Sequence, residues 1–221
     1  MCGRFAFYSP SEAVARLFGA GGSIDMKPRY NIAPTQYVAA VRNSEDDGKE
    51  LVELRWGLVP FWAKDPSIGN RMINARAETV TEKPSFRNAY RQRRCLVLAD
   101  GFYEWHREGE VKVPYFISLA SGEPFAFAGL WENWKSRESE ETLQTTTIVT
   151  TAADDYLSRI HHRMPVVLEP DRADRWLGGD MELLDEVTSH PPKLRAWPVD
   201  RKVNNARNES PELVDPAGET L

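Results

Sequence analysis

Cysteine is scarce in this 221-residue chain: there are two, Cys2 and Cys95. Two are too few for a disulfide framework, and their separation is not that of a zinc site. No apolar run approaches the ~18 uninterrupted residues that a membrane helix needs. The first residues, MCGRFAFYSPSE, show neither a basic leader ahead of a long apolar stretch nor a small-residue cleavage site. The expectation is a cytoplasmic protein, nucleoid-associated or, in a host with a nucleus, nuclear, without a membrane partner. A phosphate loop of the form GxxxxGK followed by Ser or Thr, a cluster of metal ligands and an internal repeat are all missing. ATP hydrolysis and zinc chemistry are therefore disfavoured, and neither a cofactor nor a metal is expected.

The charge is small and negative, −5 overall, yet it is unevenly spread. Residues 71–107 hold eight basic side chains against four acidic ones, whereas residues 166–221 hold seven against twelve. A local basic patch, more than the global charge, sets attraction for phosphate. Arg87, Arg91, Arg93 and Arg94 stand in that zone and are either such a patch or an ordinary solvated helix face. Cys95 opens the run CLVLA and reads as a small core residue of a buried strand. Cys2 follows the initiator directly, where chain ends are usually poorly ordered unless tied down.

Strand-like stretches recur: QYVAAVR, ELVELRWGLVP, CLVLADGFYEW, PYFISLA, PFAFAGLW, TTTIVTTA and MPVVLEP, short and rich in β-branched or aromatic residues. Helix candidates are fewer: SPSEAVARLFG, KPSFRNAYRQRR, AADDYLSRIH and DRADRWLGG, the last continuing into MELLDEVT. With so few helices between strands, the expected fold is a single α+β domain, a mainly antiparallel, barrel-like β-sheet with a few peripheral helices. The polar segments RNSEDDGKE and WKSRESEETLQ read as exposed hairpin connections. The end of the chain, from NESPELVDPAGETL, reads as an aperiodic tail whose last residues fray.

Removal of Met1, which the small side chain of Cys2 permits, would leave residue 2 with an α-amine and a β-thiol on adjacent carbons. The ordinary α-amine pKa of roughly 7.7–8.0 keeps an appreciable fraction neutral near pH 7, unlike a lysine amine. An aldehyde would meet that amine first and form a Schiff base. The thiolate then closes a five-membered thiazolidine ring, a more persistent adduct than an imine. No internal cysteine or lysine has both groups in place.

Three further polar constellations stand out. MINARAET holds Asn74 and Arg76, GFYEW holds Glu104 among aromatics, and IHHRMP holds His161, His162 and Arg163. Each has a plain structural alternative: a turn residue, the exposed position of an alternating strand, and the cationic end of a helix. Aromatic neighbours could instead raise the carboxyl pKa of Glu104 and make it a proton shuttle near neutrality.

In order, MCGRF, YNIAPTQ, RWGLVPFWAKD, NARAET, FRNAYRQRRCLVLADGFYEW, PFAFAGLWE, TTAAD and HHRMPVVL resemble the SRAP (SOS response-associated peptidase) family, whose members are also called abasic site processing proteins. The resemblance runs from residue 2 to about 207, leaving 208–221 as a C-terminal tail. It implies that Cys2, freed of Met1, bonds covalently to the aldehyde of an abasic site in single-stranded DNA and shields the lesion during replication. It also implies that Asn74 orients the N-terminus, Glu104 handles protons in ring formation and His161 contacts the opened deoxyribose, with His162 at the variable position of the motif. By the same resemblance Thr150 contacts substrate, Arg4 and Arg76 contact phosphates, and Trp56, Phe61 and Trp62 lie where the strand is kinked. The implied partners are single-stranded DNA with abasic sites and the replication machinery, the implied state a monomer, and lyase and self-processing peptidase activities accompany the capture. Two other classes stay open: a thiol hydrolase with Cys2 as N-terminal nucleophile, and a non-covalent reader of single-stranded DNA.

Overall fold

The structure, a computed structural model, describes residues 2–46, 48–136 and 138–219, with Glu108 described in its backbone only. Two sheets share the chain. The smaller begins with Phe5–Phe7 (β1) and Arg29–Ile32 (β2). The larger takes Tyr37–Asn43 (β3), Lys49–Trp56 (β4), the short Asn74–Arg76 (β5) and Arg94–Ala99 (β6). Gly101–Glu108 (β7) and Val111–Leu119 (β8) return to the smaller sheet. Phe125–Lys135 (β9), Thr142–Ala152 (β10), Arg163–Pro165 (β11) and Val167–Leu168 (β12) extend the larger one, and Leu194–Pro198 (β13) closes the smaller at its edge.

The smaller sheet has the order β13-β8-β7-β1-β2, and the larger β11-β10-β4-β3-β6-β9-β12. Because β10 also pairs with β9, strands β10, β4, β3, β6 and β9 form a closed ring. Closure removes the exposed edges that an open sheet would present. Most pairings are antiparallel; β10 runs parallel to β4 and to β5. The expected α+β, barrel-like, mainly antiparallel architecture is therefore what the chain adopts, and the two polar connections do join β3 to β4 and β9 to β10.

The α-helices among the described residues are short: Ser11–Leu17 (α1), Arg87–Gln92 (α2), Ala173–Leu177 (α3) and Leu183–Ser189 (α4). Two expectations need correction. AADDYLSRIH is a turn with one 3-10 segment, Leu157–Arg159, because the Asp154 carboxylate accepts the Leu157 N–H and the stretch makes local turns. DRADRWLGG does not continue into MELLDEVT: Gly179 adopts φ +82°, and Asp180 turns the chain by accepting the Glu182 N–H. The end of the chain packs back on the smaller sheet through buried Leu213 and a bond from Trp197 Nε1 to the Val214 carbonyl. Thr220 and Leu221 lie outside the described residues. No helix among the described residues is long and apolar enough to cross a membrane.

Candidate functional site

Phe5 ties the start of the chain down. Its ring packs edge-on to Trp56 and Phe127, at centroid distances of 5.2 and 5.4 Å, and β1 pairs with β7 through Phe5 and Phe102. Three residues before it, Cys2 is fully buried. Gly101 allows the pairing strands to sit this close, since a Cβ there would stand 2.2 Å from the Phe116 ring and 2.8 Å from the Ile117 carbonyl. The strand that follows carries Glu104 into the same interior region, opposite Tyr115 on β8.

Burial controls the electrostatics. It pushes the Glu104 carboxyl up to about 7, so that near neutrality both protonation states are populated. Burial also drives the Cys2 thiol well above its ordinary range, and the adjacent Glu104 carboxylate adds to the effect. His161 Nδ1 lies 3.9 Å from Glu104 Oε1, beyond hydrogen-bond range. That nitrogen lies 3.0 Å from the backbone nitrogen of Arg163 and 3.1 Å from its carbonyl oxygen, so that it accepts from the one or donates to the other according to the ring's tautomer. Desolvation holds the imidazole below its usual pKa and so keeps it neutral. Of the two histidines, His161 is the one that faces the carboxylate.

Asn74 enters from β5, which β10 holds in parallel register with Asn74 opposite Ile148. Its Nδ2 donates to the Ile73 carbonyl at 2.9 Å, while its buried Oδ1 has no hydrogen-bond partner among the described residues. Trp56 lies beneath: it is fully buried and its Nε1 donates to the same carbonyl. Thr150 is fully buried as well, with its carbonyl accepting Arg163 Nη2 at 2.7 Å. Arg163 also forks onto Glu78, with Nη2 to Oε2 at 3.0 Å and Nη1 to Oε1. Arg163 and Glu78 were left without a role in the sequence reading. Their signal was the opposite charges embedded in NARAET and HHRMP, and the pair locks the segments carrying Asn74 and His161 to one another.

Arg76 is exposed at the end of β5. Arg4 is half-buried: Nη1 donates to Asn31 Oδ1 at 2.7 Å and to the Val203 carbonyl at 2.8 Å, and the guanidinium lies 5.9 Å from the Trp105 ring. Phe61 and Trp62 are 56% and 40% exposed, on a loop after β4. The structure thus brings Cys2, Glu104 and His161 together, sets Asn74 on the neighbouring braced segment, and leaves Arg76, Phe61 and Trp62 on the surface. Among the described residues no group of three His, Cys, Asp or Glu is placed to hold a metal.

Such a site combines a sequestered sulfur near the start of the chain, a carboxyl that titrates near neutrality, a neutral imidazole and an amide oxygen with no partner among the described residues. It is suited to moving protons around a carbonyl centre. Comparison with known proteins follows the same line. The family model described as SOS response associated peptidase (SRAP) matches residues 1–206. The abasic site processing protein YoaM of Bacillus subtilis is 41% identical, over 97% of this chain and 98% of its own. YedK of Escherichia coli, also named an abasic site processing protein, is 33% identical over 98% of this chain and 100% of its own. A crystal structure of a Bacteroides thetaiotaomicron protein superposes with a TM-score of 0.87 at 25% identity, covering 98% of this chain and 100% of that one.

Proposed function

The chain belongs to the SOS response associated peptidase family, and on that premise we propose that it captures abasic sites in single-stranded DNA covalently through Cys2. The observation that carries this reading is the burial of Cys2 beside Glu104, with the Glu104 pKa at about 7 and His161 next to it. Hydrolytic loss of Met1 exposes the Cys2 α-amine. An abasic deoxyribose must open from its ring form, and protonated Glu104 or a ring N–H of His161 supplies the proton that the ring oxygen takes up.

The amine nitrogen then adds to C1′ to give a carbinolamine. Protonation of its hydroxyl by Glu104 expels one water and leaves the imine. The Cys2 sulfur bonds to C1′, its proton passes by way of Glu104 to the nitrogen, and a thiazolidine closes. Asn74 Oδ1, a buried acceptor, orients the amine by taking one of its hydrogens. A thiol held so strongly in its neutral form is a poor first nucleophile toward an amide. That supports the amine-first order over a thiol hydrolase. It also supports capture that shields the lesion, because ring closure removes the imine that would otherwise invite β-elimination.

The test is the intact mass of the denatured product after incubation with a single-stranded oligonucleotide bearing one abasic site. The expected mass is protein minus Met1 plus oligonucleotide minus one water. Cys2→Ala should abolish the persistent adduct. An adduct of undiminished yield from that variant, or none from a wild-type chain shown to lack Met1, would overturn the mechanism.

A further inference from the structure

Of the two histidines in IHHRMP, the chemistry above uses His161 and leaves His162 without a role. The backbone around both is fixed. The His161 N–H donates to the Leu157 carbonyl at 2.9 Å, the His162 carbonyl accepts the Ala153 N–H at 3.1 Å, and Arg163 pairs with Ala152 as β11 begins. These bonds hold two consecutive side chains on one short turn, and their rings meet. The centroids are 4.3 Å apart and the planes are inclined by 31°. The other ring pairs among the described residues stand 5.0 to 6.4 Å apart, so the two imidazoles lie face against face, within the range of a stacked aromatic pair. The His162 side chain is exposed and makes no hydrogen bond or ion pair of its own among the described residues. Its contact is with the ring of His161.

His161 depends on such a support more than its neighbours in the site do. Its side chain is 24% exposed, against 6% for Glu104, so burial holds it less firmly. Nδ1 rests against the backbone nitrogen and carbonyl of Arg163, at 3.0 and 3.1 Å, which pins one corner of the ring. Rocking about that corner would swing the second nitrogen, Nε2, out of line. A displacement of about 1 Å in a reacting group can cost on the order of 100-fold in rate. The face of His162 blocks that motion in one direction. Desolvation keeps His161 below its usual pKa and hence neutral, so the rings stack without the repulsion that two imidazolium ions would feel.

Resting on the reading above, we propose that His162 is a positioning residue: its ring lies against the face of His161 and keeps that imidazole aligned, with Glu104, on the sugar that is to be opened. It touches neither the substrate nor a transferred proton. What it supplies is a flat surface, so another flat ring at position 162 should serve as well, and a small aliphatic side chain should not.

The experiment compares wild type, His162→Ala and His162→Phe. It measures the single-turnover rate of adduct formation at saturating abasic oligonucleotide, and equilibrium binding of an oligonucleotide whose tetrahydrofuran analogue has no aldehyde. His162→Ala should lower the maximal rate about five-fold, the loss of one aromatic pair, with binding and melting temperature unchanged. His162→Phe should return the rate to within about two-fold of wild type. A wild-type rate in His162→Ala would overturn the proposal, as would a His162→Phe variant as slow as His162→Ala. The His161 ring resonances in NMR give a second readout that needs no reaction. They should shift and broaden in His162→Ala as the stacked ring is lost, and resonances left unmoved would overturn the proposal too. A wild-type chain that forms no adduct, with those resonances still sensitive to residue 162, would uphold the stack and sink the capture chemistry instead.

Discussion

Glu104 has an ordinary carboxyl pKa of 4.5 that burial raises to about 7, which links the chemistry of the site to folding. The folded state holds this proton more tightly than the unfolded chain does. Its contribution to stability is therefore complete below pH ~4.5 and is lost as pH rises through about 7. Between pH 5 and 8 the wild type should lose up to ~3 kcal/mol that Glu104→Gln retains, which thermal unfolding of both chains across that range would detect. The same substitution should slow adduct formation by about 100-fold or more and remove the inflection near pH 7 from its rate profile. If Glu104→Gln instead keeps that inflection, another group carries the proton. The sequence supplied this residue and its aromatic neighbours. It could not supply the 3.9 Å separation from His161, or the brace from Arg163 to Glu78 across 85 positions, since both arise from strand register and not from spacing.

At the level of the element, the loop bearing Phe61 and Trp62 depends on two glycines that touch. Gly57 has φ +124°, and a Cβ there would stand 2.6 Å from the Gly69 carbonyl oxygen; a Cβ at Gly69 would stand 2.5 Å from that of Gly57. Gly57→Ala incurs both backbone strain and a contact with rigid backbone, a combined loss of at least about 2 kcal/mol. Its melting temperature should fall, and its affinity for single-stranded DNA should fall with it as the loop shifts. Binding retained at wild-type level would show that the two rings do not need this loop geometry. Strands rich in β-branched residues, such as β3 and β10, were evident from the sequence. β1, β2 and β13 were not, because three to five residues have too little pattern to be strands until a partner is known. The basic helix was visible too, but only packing tells Arg94, enclosed by two aromatic rings, from Arg91 on the surface.

Over the whole molecule, the ring closes through a pairing that no local pattern encodes: β10 meets β4 in parallel, with Thr145 beside Arg55, 90 positions earlier, while its pairing with β9 is a hairpin. A second long-range closure joins the smaller sheet to residues 203–208. Buried Asn31 donates to the carbonyls of Asn205 and Asn208 at 3.0 and 2.9 Å, and accepts from Arg4, which itself reaches Val203. Asn204 accepts Trp105 Nε1 at 2.7 Å. Asn31→Ala strips several partners at once and should destabilise the fold by about 3 kcal/mol, with early hydrogen exchange in residues 201–208. It should also slow the proposed lesion capture at temperatures where the variant is still folded, since Arg4 is two residues from Cys2. Capture at the wild-type rate would show that Cys2 is held by β1 alone.

That closure also sets a timetable. A ribosome delivers Arg4 and Asn31 early, and the carbonyls they need, at 203, 205 and 208, emerge only after roughly 170 more residues, about 9–35 s later at ~5–20 residues per second. Throughout that interval Cys2 is attached to an unfinished chain, without the contacts that hold Arg4 and Asn31 in place. The buried setting proposed to let Glu104 handle protons is thus completed only late in synthesis, after residues 203–208 have emerged.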